Sequence, residues 1–247
     1  MTFEGSSCGA NHGSGLLGRE SGMNQESEPL TIDVVSDVVC PWCYLGEKRL
    51  ETALAERSGP VAVRWRPYQL DPTIPAGGLD RAEYMAKKFG KSGRLQSIHD
   101  NLTRLGAEFG IPFAFDKIKR SPNTLDAHRV IRWASSAGVQ EKVVDRLFKA
   151  YFVEGRDIGD RRVLTEIAAE CGLDAELVAR LLTEGADSDL VRQEVEQAQA
   201  MGVSGVPFFI FAGRIGVPGA QEPSVLRQAM AQARQGMAES ANEAPVA

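Results

Sequence analysis

The sequence predicts an α/β fold made of a βαβ half, a long helical block and a ββα half. Three observations carry that prediction. A short β-branched run, LTIDVVS (Leu30–Ser36), passes directly into a helical stretch and then into a second, alternating run, VAVRWR (Val61–Arg66). Strand texture then vanishes until PFFIFA (Pro207–Ala212). A helix joining two neighbouring strands of one sheet implies a parallel pair with a right-handed crossover.

The bulk numbers agree with one sizeable globular core. The chain has 247 residues, of which 43% are hydrophobic and 25% charged, ordinary values for a protein that buries its core without staples. The formal net charge of −5 and the lack of a basic block argue against a nucleic-acid surface. No apolar run reaches the roughly 18 residues of a membrane span. The first 28 residues are rich in Gly, Ser and Glu and are expected to be a disordered tail, with Met23 as a second candidate start. They show no basic segment followed by an apolar one, so no signal peptide is expected, and the cytoplasm is the expected compartment.

Taken in order, Leu30–Ser36 reads as a buried strand. In YLGEKRLETALAERS, Leu45, Leu50 and Leu54 share one helical face, with Glu and Arg opposite, and Gly59-Pro60 stops the helix. Val61–Arg66 is the second strand, and PYQLDPTIPAGG a Pro- and Gly-rich exit loop. From Arg81 to Met201 the texture is helical, with apolar faces over Asn101–Phe109, Asn123–Ala137, Glu141–Phe152, Arg162–Cys171, Asp174–Leu182 and Asp187–Met201; Asp174 is a fitting N-cap. Pro207–Ala212 and Arg214–Val217 read as a hairpin turning at Gly213, and Pro223–Gln235 as a closing helix before a frayed end. This order is a thioredoxin-like layout with a large helical insertion. Its parts are a tail (1–28), a first half (29–75), the insertion and connecting helices (76–201), a second half (202–236) and a C-terminal tail (237–247).

The chemistry centres on CPWC, Cys40 to Cys43. Pro41 suits the first helical position, which puts Cys40 at the N-cap, facing unbonded N–H groups and the positive end of the helix dipole. Both favour thiolate over thiol, so Cys40 is expected to ionise below about 8.5, the ordinary thiol value. Cys43, one turn deeper, is placed to resolve a mixed disulfide. Asp37 would oppose the effect if its charge lay near the sulfur. Structural zinc would need two further thiols or imidazoles. The chain offers Cys8 and His12 in the tail and an isolated Cys171, which reads as a small core residue, so no metal site is expected. His99 reads as solvated, and Trp65 and Trp133 as packing residues. By itself Pro207 reads as an ordinary trans proline opening an edge strand. Combined with the CPWC and the element order it reads as a cis proline lying against the thiols, with the Val206 backbone free to meet an extended substrate.

VVSDVVCPWCYLGEKRLE, PYQLDP, SPNTLDAHRVIRWA and GVSGVPFFIF together resemble the DsbA-like thioredoxin family, most closely its cytoplasmic FrnE-like branch, over roughly residues 30–235. The resemblance implies dithiol–disulfide exchange with Cys40 as nucleophile, Cys43 as resolving thiol and Pro207 as the cis proline. Trp42, Val206, Asn123 and His128 are the positions it places near substrate. For His128 the residue-level alternative stays open: a half-buried histidine beside Leu125 and Ile131. Periplasmic DsbA carries His in its CxxC where Trp42 stands, and an indole donates no positive charge, so a strongly oxidising poise does not carry over.

The expected protein is therefore a thiol–disulfide oxidoreductase without a bound cofactor. It would act on disulfide-bearing proteins, peptides or small thiols, with glutathione or a dithiol as redox partner. Two rivals stand beside it. The same broad family includes glutathione-dependent isomerases and transferases, and those generally carry Ser where Cys40 stands and usually lack Cys43. A peptide-binding holdase would work without either thiol.

Overall fold

A computed structural model describes residues 28–90 and 93–243. The tail expected over 1–28 lies, but for its last residue, outside the described residues, as do Cys8, His12 and the alternative start at Met23. In chain order the elements are β1 (Leu30–Ser36), α1 (Pro41–Ala55), β2 (Val61–Pro67), β3 (Leu79–Asp80), α2 (Arg81–Phe89), α3 (Arg94–Glu108), β4 (Arg120–Ser121) and α4 (Leu125–Ser136). They continue with α5 (Gln140–Phe152), α6 (Arg161–Cys171), α7 (Ala175–Glu184), α8 (Ser188–Ala200), β5 (Phe208–Phe211), β6 (Ile215–Pro218) and α9 (Pro223–Glu243).

The main sheet runs β2-β1-β5-β6. β1 and β2 are parallel, with Val34 opposite Trp65. β5 is antiparallel to β1, with Phe209 opposite Val34, and β6 is antiparallel to β5. This is the predicted thioredoxin-like fold, its helical insertion running from α2 to α8. The period of two along each strand divides the apolar side chains between the faces. Leu30, Ile32, Val34, Trp65, Phe209 and Phe211 join the main core with Leu45, Val130, Leu147, Phe148 and Leu226. On the other face Val35 meets Ala198 and Val203, with Phe208 and Ile210 packed alongside. At Trp65 the outer edge of β2 is capped by a side chain: the Gln140 amide accepts from Trp65 N at 3.0 Å and donates to Trp65 O at 3.3 Å.

Several elements differ from the sequence reading, each for a physical reason. Glu47 and Arg49 do not lie on a solvent face of α1; they are 5% and 4% exposed, because α1 is flanked by α3, α5 and α9. α2 buries no residue and so leaves little apolar signal; its start is fixed by Asp80, whose carboxylate accepts from Glu83 N at 3.0 Å. α3 begins at Arg94, earlier than the expected Asn101, through the polar stretch RLQSIHD. His99 is not simply solvated: it is half-buried and stacks on Phe115 at 4.0 Å, with burial and then Arg81 lowering its pKa. The two-residue pair β3–β4 carries no strand pattern at all. α9 does not stop at Gln235 but runs to Glu243. Arg214, in the β5–β6 turn, donates to Gly236 O and Ser240 Oγ, and Met237 packs on the core.

Candidate active site

β1 ends at Ser36, and three residues carry the chain to Cys40, whose N–H donates to Asp37 O at 2.9 Å. Cys40 is the N-cap of α1 with extended backbone (φ −93°, ψ 113°), and Pro41 opens the helix. No acidic side chain lies in the first turn, so nothing there offsets the positive end of the helix dipole. The Asp37 carboxylate is engaged elsewhere. Its Oδ2 accepts from Leu70 N at 2.8 Å, and its Oδ1 lies 3.5 Å from His128 Nε2.

Cys40 Sγ lies 3.6 Å from the carbonyl oxygen of Val206. The Val206–Pro207 peptide is cis. Two contacts seat this loop against the thiols. Gly46, on α1, lets the Pro207 ring approach so closely that a Cβ at position 46 would stand 2.9 Å from Pro207 Cγ. Pro207 O accepts from Gly219 N at 2.8 Å, and the adjacent Ala220 O accepts from the buried Arg49 at 2.6 Å. Arg49 therefore ties α1 to the loop after β6, whose Gly219 in turn holds Pro207. Cys40 is 4% exposed, and the half-buried Val39, Trp42 and Val206 stand close by along the chain and the loop.

Cys43 is 1% exposed. Burial, and then the hydrogen bond and charge of Cys40, push its thiol well above the ordinary range; the Ser36 hydroxyl and the Asp37 N–H pull the other way. The two thiols are thus in contact, one at the helix head and one in the protein interior.

The structure brings Cys40, Cys43, Val206 and Pro207 together, with Trp42 between the thiols in sequence. Asn123 is held otherwise: Nδ2 donates to Ile74 O at 2.6 Å, and Oδ1 accepts from Gln69 Nε2 and Leu125 N. It pins the loop after β2 to the start of α4. His128 is 3% exposed, more deeply buried than a half-buried helix residue, with Nε2 donating to Tyr68 O at 2.9 Å. Gly46, Arg49 and Ser36 were missed in the sequence. A glycine in the first turns of a helix, and Ser-Asp breaking the apolar run VVSDVV, were the available signals. Cys171 is buried, as expected of a core residue. Among the described residues no cluster of His, Cys, Asp or Glu could hold a metal ion, and no helix is long and apolar enough to cross a membrane.

Residues 31–231 match the DSBA-like thioredoxin domain. The "uncharacterized protein YwbO" of Bacillus subtilis (strain 168) is 29% identical over 200 residues, 81% of this chain and 94% of that protein. The 2-hydroxychromene-2-carboxylate isomerase of Sphingobium xenophagum is 25% identical over 190 residues, 75% of this chain and 90% of that enzyme. Among solved structures, a "probable DsbA oxidoreductase" from Streptomyces coelicolor superposes with a TM-score of 0.77 at 33% identity, covering 83% of this chain and 90% of that one.

Proposed function

The chain belongs to the DSBA-like thioredoxin family, and from that premise we propose that it is a thiol–disulfide oxidoreductase working through Cys40 and Cys43. The observation that carries this reading is the placement of the two sulfurs. Cys40 caps α1 beside the Val206 carbonyl, and Cys43 touches it from inside the helix.

The reaction runs in two exchanges. The Cys40 thiolate attacks one sulfur of a substrate disulfide; the new bond joins Cys40 to that sulfur, and the other leaves as a thiolate. Cys43, deprotonated, then attacks Cys40, and the second substrate sulfur leaves with its electron pair. Two electrons have passed to the substrate, and Cys40–Cys43 is a disulfide. Running backwards, the same steps oxidise a dithiol, and the direction follows the potential of the pair against its surroundings, with about 30 mV equal to 1.4 kcal/mol. Two glutathione molecules, leaving as their disulfide, or one dithiol return the pair to its starting state. The Val206 backbone, next to Cys40, supports an extended substrate strand, and Trp42 covers the rim.

Cys40→Ser is expected to abolish reduction of insulin disulfides, and Cys43→Ser to accumulate mixed disulfides at Cys40. Full activity in Cys40→Ser would overturn the reading. The likeness to the isomerase favours one alternative: turnover of a small substrate with glutathione, independent of the Cys40–Cys43 couple. A redox titration in glutathione buffers separates the two, since only the exchange reading requires a midpoint for the pair.

A further inference from the structure

The exchange reading, on which this inference rests, requires one proton to leave the interior. Cys43 attacks only as an anion, yet its thiol is 1% exposed and held high by burial and by Cys40. The residues around it are unusual for a protein interior. Among the described residues, Asp37 Oδ1 and Trp65 Nε1 are buried polar atoms without a hydrogen-bond partner, Ser36 Oγ has none but the Cys43 thiol, and all three cluster at the C-terminal ends of β1 and β2. Ser36 stands against Cys43. Ser36, Trp65 and His128 line a small cavity of about 10 Å³, walled by Val38, Ile131 and Val144. That is room for one water, and unpartnered polar groups around such a space are where proteins hold one. His128, Trp65 and Ile131 also line an open pocket of about 260 Å³ between β2, α4 and α8. Polar groups thus run from the resolving thiol to the surface.

We propose that the proton of Cys43 leaves through the Ser36 hydroxyl and one ordered water to the buried His128–Asp37 pair, and from there to the pocket. With Nε2 donating to Tyr68 O, His128 Nδ1 carries the free lone pair. The S–H bond of Cys43 breaks and Nδ1 takes the proton. The resulting imidazolium lies 3.5 Å from Asp37 Oδ1, a carboxylate oxygen with no other partner and so a ready counter-charge. The Cys43 thiolate forms its bond to Cys40, the substrate thiolate departs with the electron pair, and His128 releases the proton to pocket water. The other charged groups near the ring are Arg66 on β2, Arg132 on α4, and Asp187 and Glu194 from the α8 side. Arg132 is already paired with both acids. The charged group that bears on Cys43 is Cys40. His128 and Asp37 act on Cys43 through Ser36 and so are positioning residues for proton transfer.

The test follows reduced protein reacting with 5,5′-dithiobis(2-nitrobenzoate) by stopped flow. In a Cys8→Ser, Cys171→Ser background, which leaves only the active-site pair, the first release of thionitrobenzoate reports capture by Cys40, and the second reports attack by Cys43. In His128→Gln and in Ser36→Ala the second release is expected to slow roughly tenfold or more at pH 7 while the first is unchanged. The deficit should close at about pH 10, where hydroxide takes the proton. Ser36→Ala removes a single oxygen, so it carries the test should His128→Gln fail to fold. A second release as fast as in the wild type overturns the proposal. So does equal slowing at both pH values, which would leave His128 merely holding the Tyr68 carbonyl. Protein that captures no thionitrobenzoate at Cys40 overturns the exchange reading itself, a separate result.

Discussion

Glu47 sits one helical turn beyond Cys43 with 5% of its surface exposed and Oε2 without a hydrogen-bond partner. Lys48 lies 3.9 Å away but is held more closely by Asp145 at 2.6 Å. Burial raises the Glu47 pKa well above the usual carboxylate value; Lys48 lowers it, and Asp145, Glu51 and Glu141 raise it further. A carboxyl with a raised folded pKa binds its proton more tightly in the folded than in the unfolded chain. Its contribution is therefore fully present below the unfolded value of 4.5 and is lost as pH rises through the folded pKa. Glu47→Gln should flatten that slope. Urea unfolding across pH 4 to 8 is expected to show the variant gaining on the wild type as pH rises, and parallel curves would contradict the burial argument. At this scale the sequence was legible where chemistry is local. CPWC announced a helix-capping thiol and its partner. Glu47 and Arg49 were not legible, because ionic side chains at helical spacing signal solvent unless the surrounding helices are known.

Between α1 and the β5 loop, packing sets the distance between the sulfur and the strand. Alanine within a helix normally gains about 1 kcal/mol over glycine. At Gly46 that gain meets a Cβ 2.9 Å from Pro207 Cγ and 3.3 Å from Phe209 Cζ. Phe209 is fully buried and cannot yield, so overpacking wins: Gly46→Ala should cost about 1–3 kcal/mol and slow disulfide exchange by displacing Val206 from Cys40. Gly236, in α9, supplies the opposite sign. The nearest atom to a Cβ there is Arg214 Nη1 at 3.7 Å, so Gly236→Ala should stabilise by about 0.5–1 kcal/mol. Thermal melts of the two variants measure both signs, and a stabilised Gly46→Ala would refute the close-approach account. β1, β2, β5, β6, α1 and α4 to α8 could be read from apolar periodicity. β3, β4 and α2 could not, since two-residue bridges and a helix with no buried face leave no periodic trace.

At the scale of the whole molecule, the order strand–helix–strand, helical block, hairpin, helix was enough to give the fold, because short connections and parallel crossovers leave few alternatives. What it could not give was how the inserted helices hold one another. Arg129 does much of this. It is fully buried on α4, donates to the carbonyls of Leu181, Leu182 and Ala186 at the end of α7, pairs with Asp126, and lies over the Trp133 ring. Arg129→Leu would remove the side-chain donor from the Leu182 and Ala186 carbonyls and leave Asp126 to Arg161 alone, at a cost of about 1–3 kcal/mol. The urea midpoint should drop accordingly. An unchanged midpoint would show that α4 and α7 are held by apolar packing alone.

The Gln140 amide has a consequence for traffic. Bare sheet borders invite foreign chains to line up along them, a route to fibrils and clumping. By occupying the Trp65 N–H and C=O itself, Gln140 takes the middle of the β2 border out of reach of an incoming strand.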